Sequence, residues 1–272
     1  MGRTILVNLE ATILARPTKP ALTRAGGDRT VSPLDEDSAM THGMLYTYRH
    51  PRAALTVDCV VFGFGQGELK VLLIERALDP FKGQWALPGG FVRMGETVDD
   101  AARRELAEES GLKGVFLEQL YTFGDLGRDP RERVITIAYY GLVKLSDHRA
   151  KAASDAANAG WFPMSRLPPL AFDHADILAT ALTRLKGKLR DQPIGFELLP
   201  PKFTLSELQH LYEAILGAVL DKRNFRKRVM AFDLLRPLKE TRMTGRHRPA
   251  QLFRFDADRY EKLKKRGFIF EL

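Results

Sequence analysis

The chain has 272 residues, is 44% hydrophobic and carries a net charge of +8, so it is long enough for one large or two modest domains with real cores. The charge is uneven: residues 1–201 balance 25 Lys and Arg against 25 Asp and Glu, whereas residues 202–272 hold 17 against 9, a neutral front joined to a basic tail suited to a polyanion. A single cysteine, Cys59, excludes an intramolecular disulfide; no stretch reaches the roughly 20 apolar residues that span a bilayer, and the apolar core of Met1–Glu10 is too short for secretion, which leaves a cytoplasmic protein without a membrane partner.

Residues 1–44 lack sustained periodicity, and Arg16–Met40 is rich in Pro, Gly, Thr, Asp and Ser, so a disordered extension is expected there. Met40 and Met44 leave an alternative start open. From Ala53 the pattern changes to short apolar runs, and Leu55–Phe64 and Leu69–Ile74 around Gly65-Gln66-Gly67 predict a two-stranded hairpin. Cys59 lies in the first run, where a buried small hydrophobe is a better reading than a nucleophile. Asp79–Trp85 reads as a loop leading into the tight turn Leu87-Pro88-Gly89-Gly90, and a helix is expected from about Val98 to Ser110. Thr97 is its predicted N-cap, Asp99 and Asp100 suit its dipole, and Gly111 supplies the stop. Val115–Tyr121 and Val134–Leu145 predict further strands. Trp161-Phe162 opens another short element, and His174–Lys188 a second helix with Ile177, Leu178, Ala181, Leu182 and Leu185 along one side.

The first helix carries chemistry. At about 3.6 residues per turn, Glu105, Glu108 and Glu109 project from one face, while Val98, Ala101, Ala102 and Leu106 form an apolar face that can pack on a sheet. Three carboxylates so close are expected to raise one another's proton affinity unless a cation neutralises them, and hard oxygen donors suit Mg²⁺ or Mn²⁺. Arg104, one turn before Glu108, is placed to hold that carboxylate.

The spacing Gly90-x5-Glu96-x7-Arg104-Glu105-Leu106-x-Glu108-Glu109-x-Gly111-Leu112 resembles the Nudix box at every defining position. The resemblance implies an α/β/α sandwich that cleaves a nucleoside diphosphate linked to another group, using divalent metal. By similarity, Glu105 and Glu109 are the main metal ligands, Glu108 and the Gly90 carbonyl assist, and Arg104 and Glu96 complete the catalytic set. Which carboxylate acts as base stays open.

Between two predicted strands lies Gly124-Asp-Leu-Gly-Arg128-Asp129-Pro130-Arg131-Glu132-Arg133, which either grips phosphate or ribose through its guanidiniums or is a solvated turn. It is similar to the loop of ADP-ribose-type Nudix proteins. Arg76, Trp85, Arg128, Arg131 and Arg133 are therefore the candidate ligand-binding residues. Trp85, with Phe123 and Tyr139, is either a base-stacking platform or core.

Pro193, Pro200 and Pro201 mark residues 191–201 as a linker. After it, Thr204-Leu-Ser-Glu207 is a capping box that opens a helix with Leu208, Leu211, Tyr212, Ile215 and Leu216 in a stripe up to Gly217. A second helix opens at Asp221, with Phe225, Val229 and Phe232 as its buried face and Lys222, Arg223, Arg226 and Lys227 exposed. Strands at Leu238–Arg242 and Gln251–Phe255 flank a basic tip containing Arg246 and Arg248. Helix, turn, basic helix and basic hairpin in that order read as a winged helix that binds DNA; the bland alternative is packing at a dimer interface. A Nudix domain at 45–190 followed by this tail at 202–272 resembles the nicotinamide-related transcriptional regulators of the Nudix class. That resemblance implies a homodimeric repressor that binds double-stranded DNA operators of NAD-metabolism genes and responds to an ADP-ribose-like nucleotide. The alternative is a Mg²⁺-dependent ADP-ribose pyrophosphatase carrying a basic accessory domain.

Overall fold

The computed structural model describes residues 49–147, 156–243, 249–268 and 270, and the expected extension at 1–44 lies outside them. Residues 52–272 form one compact unit. Strand β1 (Ala54–Gly65) turns at Gln66-Gly67 into β2 (Glu68–Arg76). Both turn residues have positive φ, 57° and 79°, the backbone of the tight hairpin turn that matches the strand twist. Short strands β3 (Trp85–Ala86) and β4 (Gly89–Phe91) precede α1 (Val98–Ser110), followed by β5 (Leu117–Phe123), β6 (Val134–Lys144), β7 (Ala156–Pro163) and α2 (His174–Asp191). The sheet runs β3-β2-β1-β6-β5, with β4 also on β1 and β7 on β2; β1 is parallel to β6 and antiparallel to its other partners.

Side chains alternate between the two faces of the central strands. Val57, Cys59 and Val61 of β1, with Ile137, Tyr139 and Val143 of β6, pack with Ala101, Ala102 and Leu106 of α1. Val60 and Phe62, with Ala138 and Tyr140, join Ile177, Leu178, Ala181 and Leu185 of α2 on the other side. Two helical layers thus cover one sheet. Cys59 is fully buried, as its apolar run implies. The helix α1 keeps its expected ends: Thr97 accepts from Asp100 N at 3.1 Å, and Gly111 closes it at φ 73°. Strand β7 differs from expectation, because Trp161-Phe162 ends it rather than begins it. Its small residues from Ala156 to Gly160 have weak strand preference of their own and are held by pairing with β2.

Residues 191–201 contain a 3-10 turn, Ile194–Glu197, and then Leu198 and Leu199, each only 1% exposed. These leucines share a core with Leu189 of α2 and with Phe203, Leu211 and Tyr212, so apolar packing continues from the sheet into the tail. There α3 (Leu205–Leu216), α4 (Lys222–Ala231), β8 (Leu235–Arg242) and β9 (Ala250–Phe255) follow in the winged-helix order, with Phe203 bridging Phe253. Arg242 ties β8 back to α3, donating to Glu207 Oε1 at 2.7 Å and to the Lys202 carbonyl at 3.0 Å. A last helix, α5 (Ala257–Lys264), was not expected; Asp256 caps it, and Tyr260 and Leu263 pack with Leu234, Phe268 and Phe270. No helix among the described residues is long and apolar enough to cross a membrane.

The capping box is formed in both directions, with Glu207 N to Thr204 Oγ1 at 3.1 Å and Thr204 N to Glu207 Oε2 at 2.7 Å. Thr204→Ala removes one of these bonds and is expected to cost about 1 kcal/mol in urea denaturation. An unchanged midpoint would show that the cap contributes nothing.

Candidate functional site

The turn Leu87–Gly90 lies between β1 and α1, and β4 pairs Gly89 with Asp58 and Gly90 with Val57. Contact with backbone, not backbone angle, requires glycine at Gly89, whereas a side chain at Gly90 would displace the Glu105 carboxylate. A Cβ on Gly89 would fall 2.2 Å from the Val57 carbonyl oxygen, and one on Gly90 would fall 2.6 Å from the Glu105 carboxylate. The amide of Gly89 donates to Glu109 Oε2 at 2.8 Å. The turn therefore brings its backbone against Glu105 and Glu109, the two carboxylates that α1 aims at it.

Arg104 is the hub of this helix face. It grips Glu96 with two nitrogens, Nε at 2.9 Å and Nη2 at 2.6 Å, and its Nη1 reaches Glu105 at 2.5 Å and Glu108 at 3.0 Å. Nη2 also donates to the Phe91 carbonyl at 3.1 Å. The spacing anticipated only the Glu108 contact. The Arg104 hydrogen bond, joined by the Arg93 amide, holds Glu96 below the ordinary carboxylate range despite some desolvation.

Glu109 is pushed up to about 8, chiefly by burial; the Gly89 amide opposes this, and the negative charges of Glu105 and Asp58 add to it. Glu105 is also raised, again first by burial, with Arg104 opposing and Glu108 adding. Mutual repulsion, the cause expected from helical spacing, is the smaller contribution, because α1 sinks these side chains between the turn and the sheet. Among the described residues no three acidic, histidine or cysteine side chains converge on one cation-sized point. That arrangement still suits Mg²⁺, which commonly takes one or two carboxylates and fills its remaining positions with water and substrate phosphate.

Four residues under the turn were not foreseen as a group. Arg128, only 4% exposed, donates to Asp173 Oδ2 at 2.8 Å and Oδ1 at 2.6 Å and reaches Asp58 Oδ2 at 3.4 Å. His174, the first residue of α2, accepts from the Leu87 amide at Nδ1 (2.9 Å), which leaves the proton on Nε2, 3.4 Å from Asp58 Oδ1. Burial lowers the His174 pKa against the pull of Asp58 and Asp173, so the imidazole is held neutral. Arg128, read from sequence as a candidate for gripping phosphate or ribose, is instead engaged with buried carboxylates.

The remaining ligand candidates divide. Arg76 donates to the carbonyls of Pro80 (2.8 Å) and Leu78 (3.3 Å), and its guanidinium lies 4.7 Å from the Phe172 ring centre. Arg131 pairs with Asp129 and lies 5.3 Å from the Phe91 ring and 5.7 Å from that of Phe172. These two cations thus share an aromatic, Phe172, that no sequence pattern singled out. Arg133 points outward and donates to the Asp125 carbonyl at 3.0 Å. Trp85 is half-buried and packs edge-on against Phe162 at 4.4 Å. Tyr139 is core, with its hydroxyl on Asp99.

In the tail, Lys222, Arg223 and Lys227 are exposed on α4 while Phe225 and Val229 are buried. Arg226 departs from the expected exposed face: its Nη2 donates to Ser206 Oγ at 3.0 Å, and its Nε is buried between the two helices. Arg246 and Arg248 lie outside the described residues.

A family model described as the NUDIX domain matches residues 52–181, and one described as the NrtR DNA-binding winged helix domain matches residues 195–255. Over 216 residues the chain is 37% identical to the ADPR responsive transcriptional repressor NtrR of Acinetobacter baylyi, covering 78% of this chain and 86% of that protein. The chain belongs to the NrtR family. Its Nudix α/β/α sandwich and C-terminal winged helix match the expected fold class. The crystal structure of Shewanella oneidensis NrtR complexed with a 27mer DNA aligns with a TM-score of 0.64 and 36% identity, over 74% of this chain and 93% of that one. The ADP-ribose pyrophosphatase of Methanocaldococcus jannaschii is 42% identical over 131 residues, covering 48% of this chain and 73% of that enzyme.

Proposed function

We propose that this protein is a transcriptional repressor whose Nudix domain, at about 45–190, binds ADP-ribose or a related nucleoside diphosphate derivative and whose winged helix, at about 202–272, binds an operator of NAD-metabolism genes. It acts as a homodimer in the cytoplasm. One observation carries the reading: a complete box site and a basic winged helix occupy one compact unit, and α2 begins beside the site at His174 and ends in the winged-helix core at Leu189. Its likeness to a repressor and to a DNA-bound relative supports the same conclusion.

Glu105 and Glu109, with Glu108 and the Gly90 carbonyl, would hold Mg²⁺ or Mn²⁺. When bound, the metal offsets charge on the diphosphate oxygens and polarises a water. Arg104 holds Glu96, Glu105 and Glu108 in place, and Arg76 and Arg131 supply positive charge beside Phe172 for the phosphates or ribose. The second reading, hydrolysis of the bound nucleotide, is favoured by the intact carboxylate set. Mg²⁺-dependent turnover abolished by Glu109→Gln would support it.

The repressor reading is tested with Lys227→Ala. Operator affinity should fall, and the slope of log affinity against log salt should drop by about one, while thermal stabilisation by ADP-ribose is unchanged. A wild-type protein that forms no sequence-specific complex with any duplex from a randomised pool would overturn it.

A further inference from the structure

Positive charge places a protein on DNA but does not choose a sequence, because phosphates are the same at every step. Base choice needs a side chain that presents a defined set of donors and acceptors to a groove edge. On α4, with successive residues turning by about 100°, the buried Phe225 and Val229 fix the inner side, so Arg223 and Lys227 lie opposite and Asn224 stands beside them. All three are exposed. Arg226 falls on the flank that meets Ser206 of α3 and is removed from this face.

Asn224 has no evident structural reason to be there. Asparagine is a poor helix former whose usual place at a helix start is the cap, yet the cap here is Asp221, which accepts from the Asn224 backbone amide at 2.8 Å. Its side-chain amide makes no hydrogen bond among the described residues. A carboxamide offers one acceptor and one donor side by side, the complement of the adenine N6 amino group and N7 in the major groove; neighbouring Arg223 and Lys227 can make phosphate or guanine contacts but cannot accept from adenine.

We propose that Asn224 is a specificity-determining residue that reads an adenine in the operator's major groove. This inference rests on the repressor reading, with α4 as the second helix of the pair lying in the major groove, and adds to it which base class that helix selects.

The test uses the full chain and duplexes selected from a randomised pool. Asn224→Ala leaves the Asp221 cap and the buried face of α4 in place, so folding is retained. Wild-type protein should prefer adenine at one position of each half-site, losing about 10- to 100-fold in affinity when that base pair is changed. Replacing that adenine with 7-deazaadenine, which lacks the N7 acceptor, should also weaken wild-type binding. The N224A variant should be indifferent to both changes and should bind non-specific duplex as wild type does. If N224A keeps the wild-type base preference at every position, Asn224 does not read the operator and the inference is overturned while the repressor reading stands. If the wild-type protein shows no base preference at all, both fall together.

Discussion

Arg128→Ala is expected to lower the stability of the folded protein by about 3–5 kcal/mol, the range for removing one partner of a buried ion pair. The reason is what the substitution leaves behind. The guanidinium is 4% exposed, and its partners Asp58 and Asp173 are 8% and 18% exposed, so both carboxylates would lose their compensating charge in a place water scarcely reaches. Desolvation works against the charged form of Arg128, yet the Asp173 hydrogen bond and the charges of Asp58, Asp173 and Asp129 outweigh it and raise its pKa. Arg133→Ala, at an exposed arginine in the same loop, serves as the control and should change stability by less than about 0.5 kcal/mol. Urea denaturation of both variants decides the matter. A loss near zero for Arg128→Ala, accompanied by weaker ADP-ribose binding, would mean that the arginine serves the ligand and not the fold.

Much of helix α1 was legible because its information is local. Thr97, Gly111 and the spacing of Glu105, Glu108 and Glu109 all act within a few residues, and the capping box at Thr204 and the Gln66-Gly67 turn are readable for the same reason. The Asp58–Arg128–Asp173–His174 cluster is not local. Its contacts join residues 45, 70 and 87 positions apart, and only the pairing of β1 with β4 and the start of α2 brings them together. A lone Arg in a loop of arginines gives no sign of which one turns inward. The same holds for Arg226, whose place in a basic run suggested solvent until the packing of α4 on α3 directed it towards Ser206. Helix α5 was readable in principle, since Asp256 precedes an apolar pair, Tyr260 and Leu263, at helical spacing. Phe172 carried no such signal; its φ of 53° and its contacts with Arg76 and Arg131 come from tertiary structure alone.

The buried carboxyl of Glu109 makes a second large effect measurable, and its sign follows from the direction of the shift. The folded protein holds this proton up to about pH 8, whereas an unfolded glutamate releases it near 4.5. Between those values the folded state binds more protons than the unfolded state, so stability falls as pH rises and levels off above the folded pKa. Between pH 6 and 8 the loss from this group is about 2–3 kcal/mol. Glu109→Gln keeps an acceptor for the Gly89 amide and removes the titration, so in chelator its stability should stay level where the wild type declines. Mg²⁺ added at pH 9 should restore stability to the wild type, because a cation replaces the lost proton, and should do little for the glutamine variant. Parallel stability curves for the two proteins from pH 6 to 9 would show that Glu109 ionises like a solvated carboxylate. That result would also remove the physical reason for placing the metal beside Gly90.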